Sequence, residues 1–552
     1  MSTRGSFDQA RDFLILHRAD YDYAYKNFAW PQAPDFNWAL DYFDKMAVGN
    51  NNPALWIIAE DGKEEKYSFA DLSARSNQVA NYMKKLGLKK GEGILLMLGN
   101  ESARWEIMLA AIKLGVIIIP ASQFLTSQEL EDRLLRGRAR MIVTSKEYAD
   151  RFKVENTEVI PVLVDGTLPN WKEYKEATEE NAEFERREGT SILDTIFLYF
   201  ASSTTPKPKM VEHSHLSFAV GHLATMYWMG LRPGDIHLGV SSPGWAMHDW
   251  NSFIAPWNAE ATIFIDRLSR FNAKVLLDTM AQYKITTFCA PPTVWRLLLQ
   301  EDLKQYQVPL REALSTGEPL DQDTVDAVQA AWGVTIREGF GQTETTMLIG
   351  VTPSMKPMRE TLGKALPGYA IELLDSDGKE TNVGEICITS PTLPQQPFHS
   401  GDVGKKNADG YYSYIGRNDE LFKCSDYRIS PFEIEAVLRE NPAVREVVVI
   451  PSADPIKHAV PKAIVVLAKG IEPTKEVAID LMNFTRNRLA PFKRVRRVEF
   501  HDLSKDAEGN LQRIDMIKRE TEKRNANEKS PYEFWEQDAR ASLPETWAQD
   551  LP

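Results

Sequence analysis

The sequence predicts an α/β protein followed by a smaller α+β part, and three observations predict it. Apolar runs of strand length alternate with segments of helical spacing to about residue 300, the pattern of a mainly parallel sheet covered by helices. From about residue 371 the texture changes to short β-like runs, and from 431 to a compact mixture of helix and strand. Length is the third: at roughly 150 residues per domain, 552 residues amount to three or four structural units around a large core.

Residues 67–86 read as an amphipathic helix stopped at Gly87. The wholly apolar run 93–98 reads as a buried parallel strand, 101–114 returns to helical spacing, and 116–119 after Gly115 is again a strand. The stretch 107–121 is the most apolar in the chain, but it is too short to span a bilayer and contains Lys113. Further strands are read at 141–144 and 159–164, then at 370–374, 384–388 and 411–415, the last ending at Gly416-Arg417. Beyond it come a helix at 431–440, strands at 446–450 and 462–467, a helix at 475–489 and a strand at 497–500. The chain thus divides into 1–416, a hinge at 417–420, a unit at 421–522 and a charged tail at 523–552. The tail, with Trp535 and Trp547, reads as a packed or fraying helix.

Hydrophobic residues at 43% and charged residues at 26% fit a globular chain. Lys plus Arg number 65 against 78 Asp plus Glu, a formal charge of −13. That balance argues against nucleic acid as the main partner, since phosphate backbones need clustered positive charge. The polar first ten residues lack a signal-peptide core. Cys289, Cys387 and Cys424 are far apart, with neither a disulfide framework nor paired metal spacing, which suits a reducing cytoplasm.

The most informative segment runs from Leu198 to Lys209. Between a strand and a helical stretch it places the hydroxyls of Ser202, Ser203, Thr204 and Thr205 and the amines of Lys207 and Lys209. Hydroxyls and backbone N–H groups can wrap phosphate oxygens, and lysine supplies charge. A polar surface loop is the plain alternative.

This segment resembles the phosphate-binding loop of adenylate-forming acyl-CoA synthetases, Ser-Gly-Thr-Thr-Gly-x-Pro-Lys. Other motifs of that family follow in order. Gly317-Glu318-Pro319 resembles the adenine-contacting strand end. Gly339-Phe-Gly-Gln-Thr-Glu344 resembles the aromatic-Gly-x-Thr-Glu motif, which assigns Phe340 and Gly341 to adenine, Thr343 to phosphate and Glu344 to magnesium. Gly401-Asp402 resembles Thr-Gly-Asp, whose carboxylate takes the ribose hydroxyls. Arg417 to Asp419 resembles the hinge motif, with Arg417 near phosphate and ribose and Asp419 as pivot. Lys423 to Glu435 resembles the mobile-domain loop and its helix, and 503–513 the catalytic-lysine segment. The likeness covers roughly residues 30–520. It implies a large N-terminal domain of two α/β subdomains plus a β-barrel-like unit, and a small mobile α+β C-terminal lid. It also implies ATP, Mg2+ and CoA: a carboxylate attacks the α-phosphorus, giving acyl-AMP and pyrophosphate, and a thiol then displaces AMP. The partners implied are a small carboxylic acid and a nucleotide, with a homodimer left open.

The chain departs from the family at four places. Ser203 and Pro206 stand where the loop has glycines; glycine permits positive φ and close backbone approach, whereas proline removes an N–H. Asn510 stands where a lysine bridges carboxylate and α-phosphate. The run between Gly384 and Gly401 is short and rich in Pro and Gln. Asp426 replaces a glycine of the thioester-forming loop. Two functions therefore compete: an active acid–thiol ligase, or a non-catalytic or half-reaction protein that binds nucleotide or acyl-adenylate. For the acid, Gly244, Trp245 and His248 are the candidates, within a Trp-rich stretch suited to an aryl or medium-length acyl group. Trp257 reads as core, Cys289 as a small core residue, and His213 and His215 as cap or solvated groups rather than chemistry.

Overall fold

The structure is a computed structural model that describes residues 6–153, 158–186, 189–201, 207–318, 320–375, 377–417, 421–425, 427–504 and 512–539. Packing divides the chain into two units. The first comprises 1–123, 129–199 and 210–418; the second comprises 124–128, 200–209 and 419–552.

The alternation read from the sequence builds two large sheets. One has nine strands, in the order Lys364–Ala365, Met347–Gly350, Ile336–Gly341, Glu312–Thr316, Thr287–Ala290, Ile236–Gly239, Thr262–Arg267, Pro53–Ala59, Glu64–Ser68. Its six inner strands, from Ile336–Gly341 to Pro53–Ala59, run parallel, and antiparallel strands close both edges. The other has seven strands, with Gly93–Met97 at its centre between Ala139–Thr144 and Ile117–Pro120, both parallel to it. All five residues of Gly93–Met97 are buried, as a strand covered on both faces requires. The helix read at 67–86 spans Phe69–Lys85. Its first two expected residues end the preceding strand instead, because Ser68 is extended and caps the helix in a reciprocal pair with Asp71.

The helices Ala273–Gln282, Pro292–Leu298 and Gln322–Trp332 cover one side of the nine-stranded sheet. Leu277, Trp295, Leu298 and Val328 bury against Phe264, Phe288 and Ala313, each side chain worth roughly 1.5–3 kcal/mol when withdrawn from water. Trp257 is core, as read, with its ring 4.9 Å from that of Phe43. The third part of this unit is a four-stranded antiparallel meander of Ala370–Leu374, Val383–Thr389, Phe398–Lys406 and Tyr412–Arg417. The short Pro- and Gln-rich run is its hairpin connection, closed by Ile388 opposite Phe398 and by Gln396 Nε2 donating to Ser390 O at 2.8 Å.

In the second unit, Val444–Asp454 and His458–Leu467 form one long hairpin, extending the strands read at 446–450 and 462–467 to their turn. Arg497–Phe500 lies parallel to the second of them. Helices Pro431–Leu438, Lys475–Arg486 and Arg513–Asn525 belong to this unit, and Met516 packs on Val448, Ile450 and Ile464. Part of the charged tail is not helix: Glu533–Trp535 adds an antiparallel strand beside Arg497–Phe500. A buried ion cluster fastens it there. Lys462 Nζ lies 2.7 Å from Glu499, 2.5 Å from Glu520 and 2.9 Å from Glu533, and Arg497, Arg524 and Lys529 crowd the Trp535 ring at 4.2, 5.0 and 5.0 Å. No described helix is long and apolar enough to cross a membrane.

Candidate active site at the carboxyl ends of the parallel strands

Four parallel strands of the nine-stranded sheet lead to candidate residues. Ile236–Gly239, Thr287–Ala290, Glu312–Thr316 and Ile336–Gly341 end at one edge of the sheet, in register through Ala290 opposite Ser315 and Thr316 opposite Gly339. The loops beyond these ends hold the segments 240–245, 317–318 and 342–346, and such an edge is where open α/β sheets bind ligands.

The best-defined group of side chains surrounds Asp402. The meander slips register between Glu385 and Cys387, and Gly401 there takes φ +70°, a left-handed conformation unfavourable for other residues. This bulge lets Asp402 turn inward, where it is 3% exposed. Its Oδ1 accepts from Arg417 at 3.0 Å and from Tyr414 O–H at 3.2 Å. Its Oδ2 accepts from Gln342 Nε2, which also donates to Ser400 O at 2.8 Å. Gln342 thereby ties the Ile336–Gly341 strand end to the meander. The Phe340 ring, half-buried, lies 6.2 Å from that of Tyr414. Phe340, Gly341, Asp402 and Arg417, separated in sequence, therefore share one neighbourhood with Gln342 and Tyr414.

Thr343 and Glu344 follow directly. His213 Nε2 donates to Thr343 O at 2.7 Å, and its Nδ1 pairs with Ser217 at 3.2 Å. Burial lowers the His213 pKa and keeps the ring neutral, the state in which one nitrogen donates and the other accepts. His213 thus positions a backbone carbonyl of this turn rather than capping or solvating a helix. Sequence reasoning missed this because the partners lie 130 residues apart.

Gly317 ends the neighbouring strand with φ +102°. The Glu318 carboxylate is fully engaged: Oε1 accepts from Thr293 N at 2.8 Å and Thr293 Oγ1 at 2.6 Å, and Oε2 pairs with Arg296 at 3.1 Å. Glu318 therefore anchors the strand end to the Pro292–Leu298 helix. Pro319 lies outside the described residues.

Gly244 takes φ +95°, and a Cβ there would fall 2.3 Å from Ser122 N, so only glycine lets the 242–245 loop lie on the backbone at 121–122. Trp245, beside it, is half-buried. His248 is 1% exposed, with Nε2 donating to Asn100 Oδ1 at 2.9 Å. Burial lowers its pKa to about 4. Next to it Asp249 receives Arg104 at 2.7 Å and Tyr199 O–H at 3.0 Å, and Arg104 counters its burial to hold the carboxyl below the usual range. This network packs the floor under the 242–245 loop, and neither His248 ring nitrogen is presented to solvent. Cys289 is a buried core thiol, as read, with its pKa raised by burial.

Lys207 and Lys209 are exposed, and Lys209 opens the strand Lys209–Ser214. Lys423 sits in the Phe422–Cys424 strand of a small hairpin in the second unit. Ser202, Ser203, Thr204, Thr205, Asp419 and Asn510 lie outside the described residues, as do Pro206 and Asp426.

A family model described as "AMP-binding enzyme" matches residues 43–395, and one described as "AMP-binding enzyme C-terminal domain" matches 433–510. The chain is 34% identical over 529 residues to 4-hydroxybutyrate–CoA ligase 1 of Metallosphaera sedula, covering 90% of this chain and 93% of that one. It is also 34% identical over 525 residues to the mitochondrial acyl-coenzyme A synthetase ACSM5 of Homo sapiens, covering 88% and 90%. Among solved structures, an acyl-CoA synthetase of Brucella canis superposes with a TM-score of 0.68 at 27% identity, over 91% of this chain and 99% of that one. The anthranilate CoA ligase AuaEII, solved with anthranoyl-AMP, superposes with a TM-score of 0.67 at 25% identity, over 90% and 99%.

Proposed function

We infer the activity from the premise that the chain belongs to the AMP-binding enzyme family. It is an AMP-forming acid–thiol ligase: ATP activates a carboxylic acid as acyl-AMP, and the acyl group passes to CoA. The observation that carries this reading is the Asp402 group, a buried carboxylate held by Gln342, Tyr414 and Arg417 beside the Phe340 ring. A carboxylate with backbone and side chains arranged around it suits a vicinal diol, and a neighbouring aromatic face suits a base.

In this reading the nucleoside lies across the strand ends. Phe340 and Gly341 take the adenine with Gly317 and the backbone at 318–319, and Asp402 takes the ribose hydroxyls. Ser202 to Thr205, Lys207, Lys209, Thr343 and Arg417 take the phosphates. Glu344 holds Mg2+ delivered with ATP; its carboxylate follows the turn that His213 fixes at Thr343. Charge on the triphosphate is neutralised by these cations and the metal, which is the main electrostatic need of the adenylation step. The acid lies along Gly244 and Trp245, with His248 supporting the loop from below. Asp419 serves as pivot, and Lys423 belongs to the nucleotide-binding set. A cytoplasmic setting fits the three buried thiols.

The experiment is a pyrophosphate-release and acyl-CoA assay over a panel of hydroxy, aryl and medium-length acids, on the natural chain and on Asn510→Lys. Turnover by the natural chain establishes the ligase and its acid. Turnover only in Asn510→Lys means that the natural chain lacks the adenylation step, and acyl-AMP supplied with CoA then reads whether it performs the transfer step. Absence of both, with nucleotide bound, overturns the catalytic reading.

A further inference from the structure

The four-stranded meander carries a second cluster, separate from the Asp402 group. Across its strands Glu372 stands opposite Cys387, and Cys387 opposite His399. Glu385, two residues before Cys387 on the same strand, projects to the same face. The Cys387 Sγ lies 3.4 Å from His399 Nδ1, and Glu385 Oε2 lies 3.1 Å from the same nitrogen. One donor atom from each of Glu385, Cys387 and His399 falls within 4.8 Å of the other two.

We propose that Glu385, Cys387 and His399 form a binding site for a divalent cation of the zinc class. Bond lengths decide the matter. With metal distances of about 2.3 Å to sulfur, 2.05 Å to nitrogen and 2.1 Å to oxygen, tetrahedral angles put S···N at about 3.6 Å and N···O at about 3.4 Å. The observed S···N and N···O separations are 3.4 and 3.1 Å, so these two pairs need to open by only a few tenths of an ångström, while the sulfur and the carboxylate oxygen, within 4.8 Å of each other, come to about 3.6 Å around the ion. A thiol, an imidazole and a carboxylate together select a borderline-soft cation over magnesium or calcium, which prefer oxygen alone. The second Glu385 oxygen, Oε1, already accepts from Gly401 N at 2.9 Å, an outer contact that orients a ligating carboxylate. Cys387 is buried while the His399 side chain is 54% exposed, which gives the ion a way in and leaves the fourth position to water or to Glu372. Binding requires the thiol to give up its proton to solvent as the sulfur–metal bond forms, with no change of oxidation state.

The spacing of Glu385, Cys387 and His399 matches no sequence motif for metals, since the three meet only through strand pairing. The site does not depend on the ligase reading. A cation there clamps two strands on the exposed face of the segment whose next residues, Ser400 to Asp402, turn inward.

The test uses the full-length protein, stripped with chelator and held in excess Mg2+ so that oxygen-only sites are saturated. Zinc is titrated against a competing chromophoric chelator, and cobalt is added separately to look for a thiolate-to-cobalt charge-transfer band. One equivalent of zinc with that band is expected. Cys387→Ser should abolish the band, and both Cys387→Ser and the solvent-facing His399→Ala should weaken zinc by at least about tenfold. No stoichiometric zinc, no charge-transfer band, or zinc affinity unchanged in His399→Ala would each overturn the proposal.

Discussion

Replacing Asp402 by Asn tests the nucleoside site most directly. The amide keeps the size of the carboxylate and can still accept from Arg417 and Tyr414, whose donors lie at 3.0 and 3.2 Å. It loses the charge, and its new N–H2 meets the Gln342 amide donor. Gln342 can turn its oxygen inward only by giving up its 2.8 Å bond to Ser400 O. Two ribose hydroxyls that donate to a carboxylate would then donate to a neutral group. Charge assistance adds about 1.5 kcal/mol to each such bond, so about 3 kcal/mol is lost, or about a hundredfold in Kd. ATP·Mg and AMP should weaken alike, because they share the ribose, whereas Glu344→Gln should weaken ATP·Mg and spare AMP. Isothermal titration with both nucleotides reads the difference, and a melting curve shows that the variant is folded. AMP binding to folded Asp402→Asn within about threefold of the natural chain would refute the placement of the ribose.

Other expectations follow from the geometry. Gly244→Ala forces a Cβ to within 2.3 Å of Ser122 N at φ +95°; the loop must shift, so KM for the acid should rise at least tenfold while AMP affinity holds, and an unchanged KM would remove this loop from the acid site. Burial holds His215, His237 and His248 near pKa 4, below their unfolded value of 6.5. The unfolded chain takes up protons first as pH falls, so stability present above pH 6.5 is lost on the way to pH 4, by about 2 kcal/mol per histidine between pH 7 and 5. Urea midpoints that stay flat over that window would contradict the buried neutral rings. Lys462→Met removes the cation that Glu499, Glu520 and Glu533 share and leaves them only Lys523 and Arg524, which should cost the C-terminal unit about 3 kcal/mol, the low end for breaking a buried pair; adding Glu533→Gln should recover part of it, and a loss below about 1 kcal/mol would mean that the cluster is solvated.

The fold was legible where one local signal decides an element. Gly93–Met97 is apolar throughout because both its faces are covered, and Lys475–Arg486 shows its amphipathic spacing in the letters alone. Glu533–Trp535 was not legible, because three residues carry no period and the strand exists through partners far away in the chain, Lys462 and Arg497 above all. The site divides in the same way. Phe340, Asp402 and Arg417 could be picked out by motif, and they do meet. The engagement of Glu318 with Thr293 and Arg296, and of His213 with the Thr343 carbonyl, could not, since nothing in either segment names its distant partner. His248 reads in the sequence as an acid-site residue, yet its ring is buried and committed to Asn100.

The order in which the C-terminal sheet is assembled follows from its strand order. Arg497–Phe500 has a neighbour on one side, His458–Leu467, as soon as it is synthesised, but its other edge waits for Glu533–Trp535. Until the ribosome has made residue 533, Lys462 lacks the carboxylate that completes its shell, and an open strand edge faces whatever else is nascent nearby. The C-terminal unit therefore matures late in translation. A tag or truncation that reaches 533–535 acts on its folding and aggregation before it acts on any chemistry.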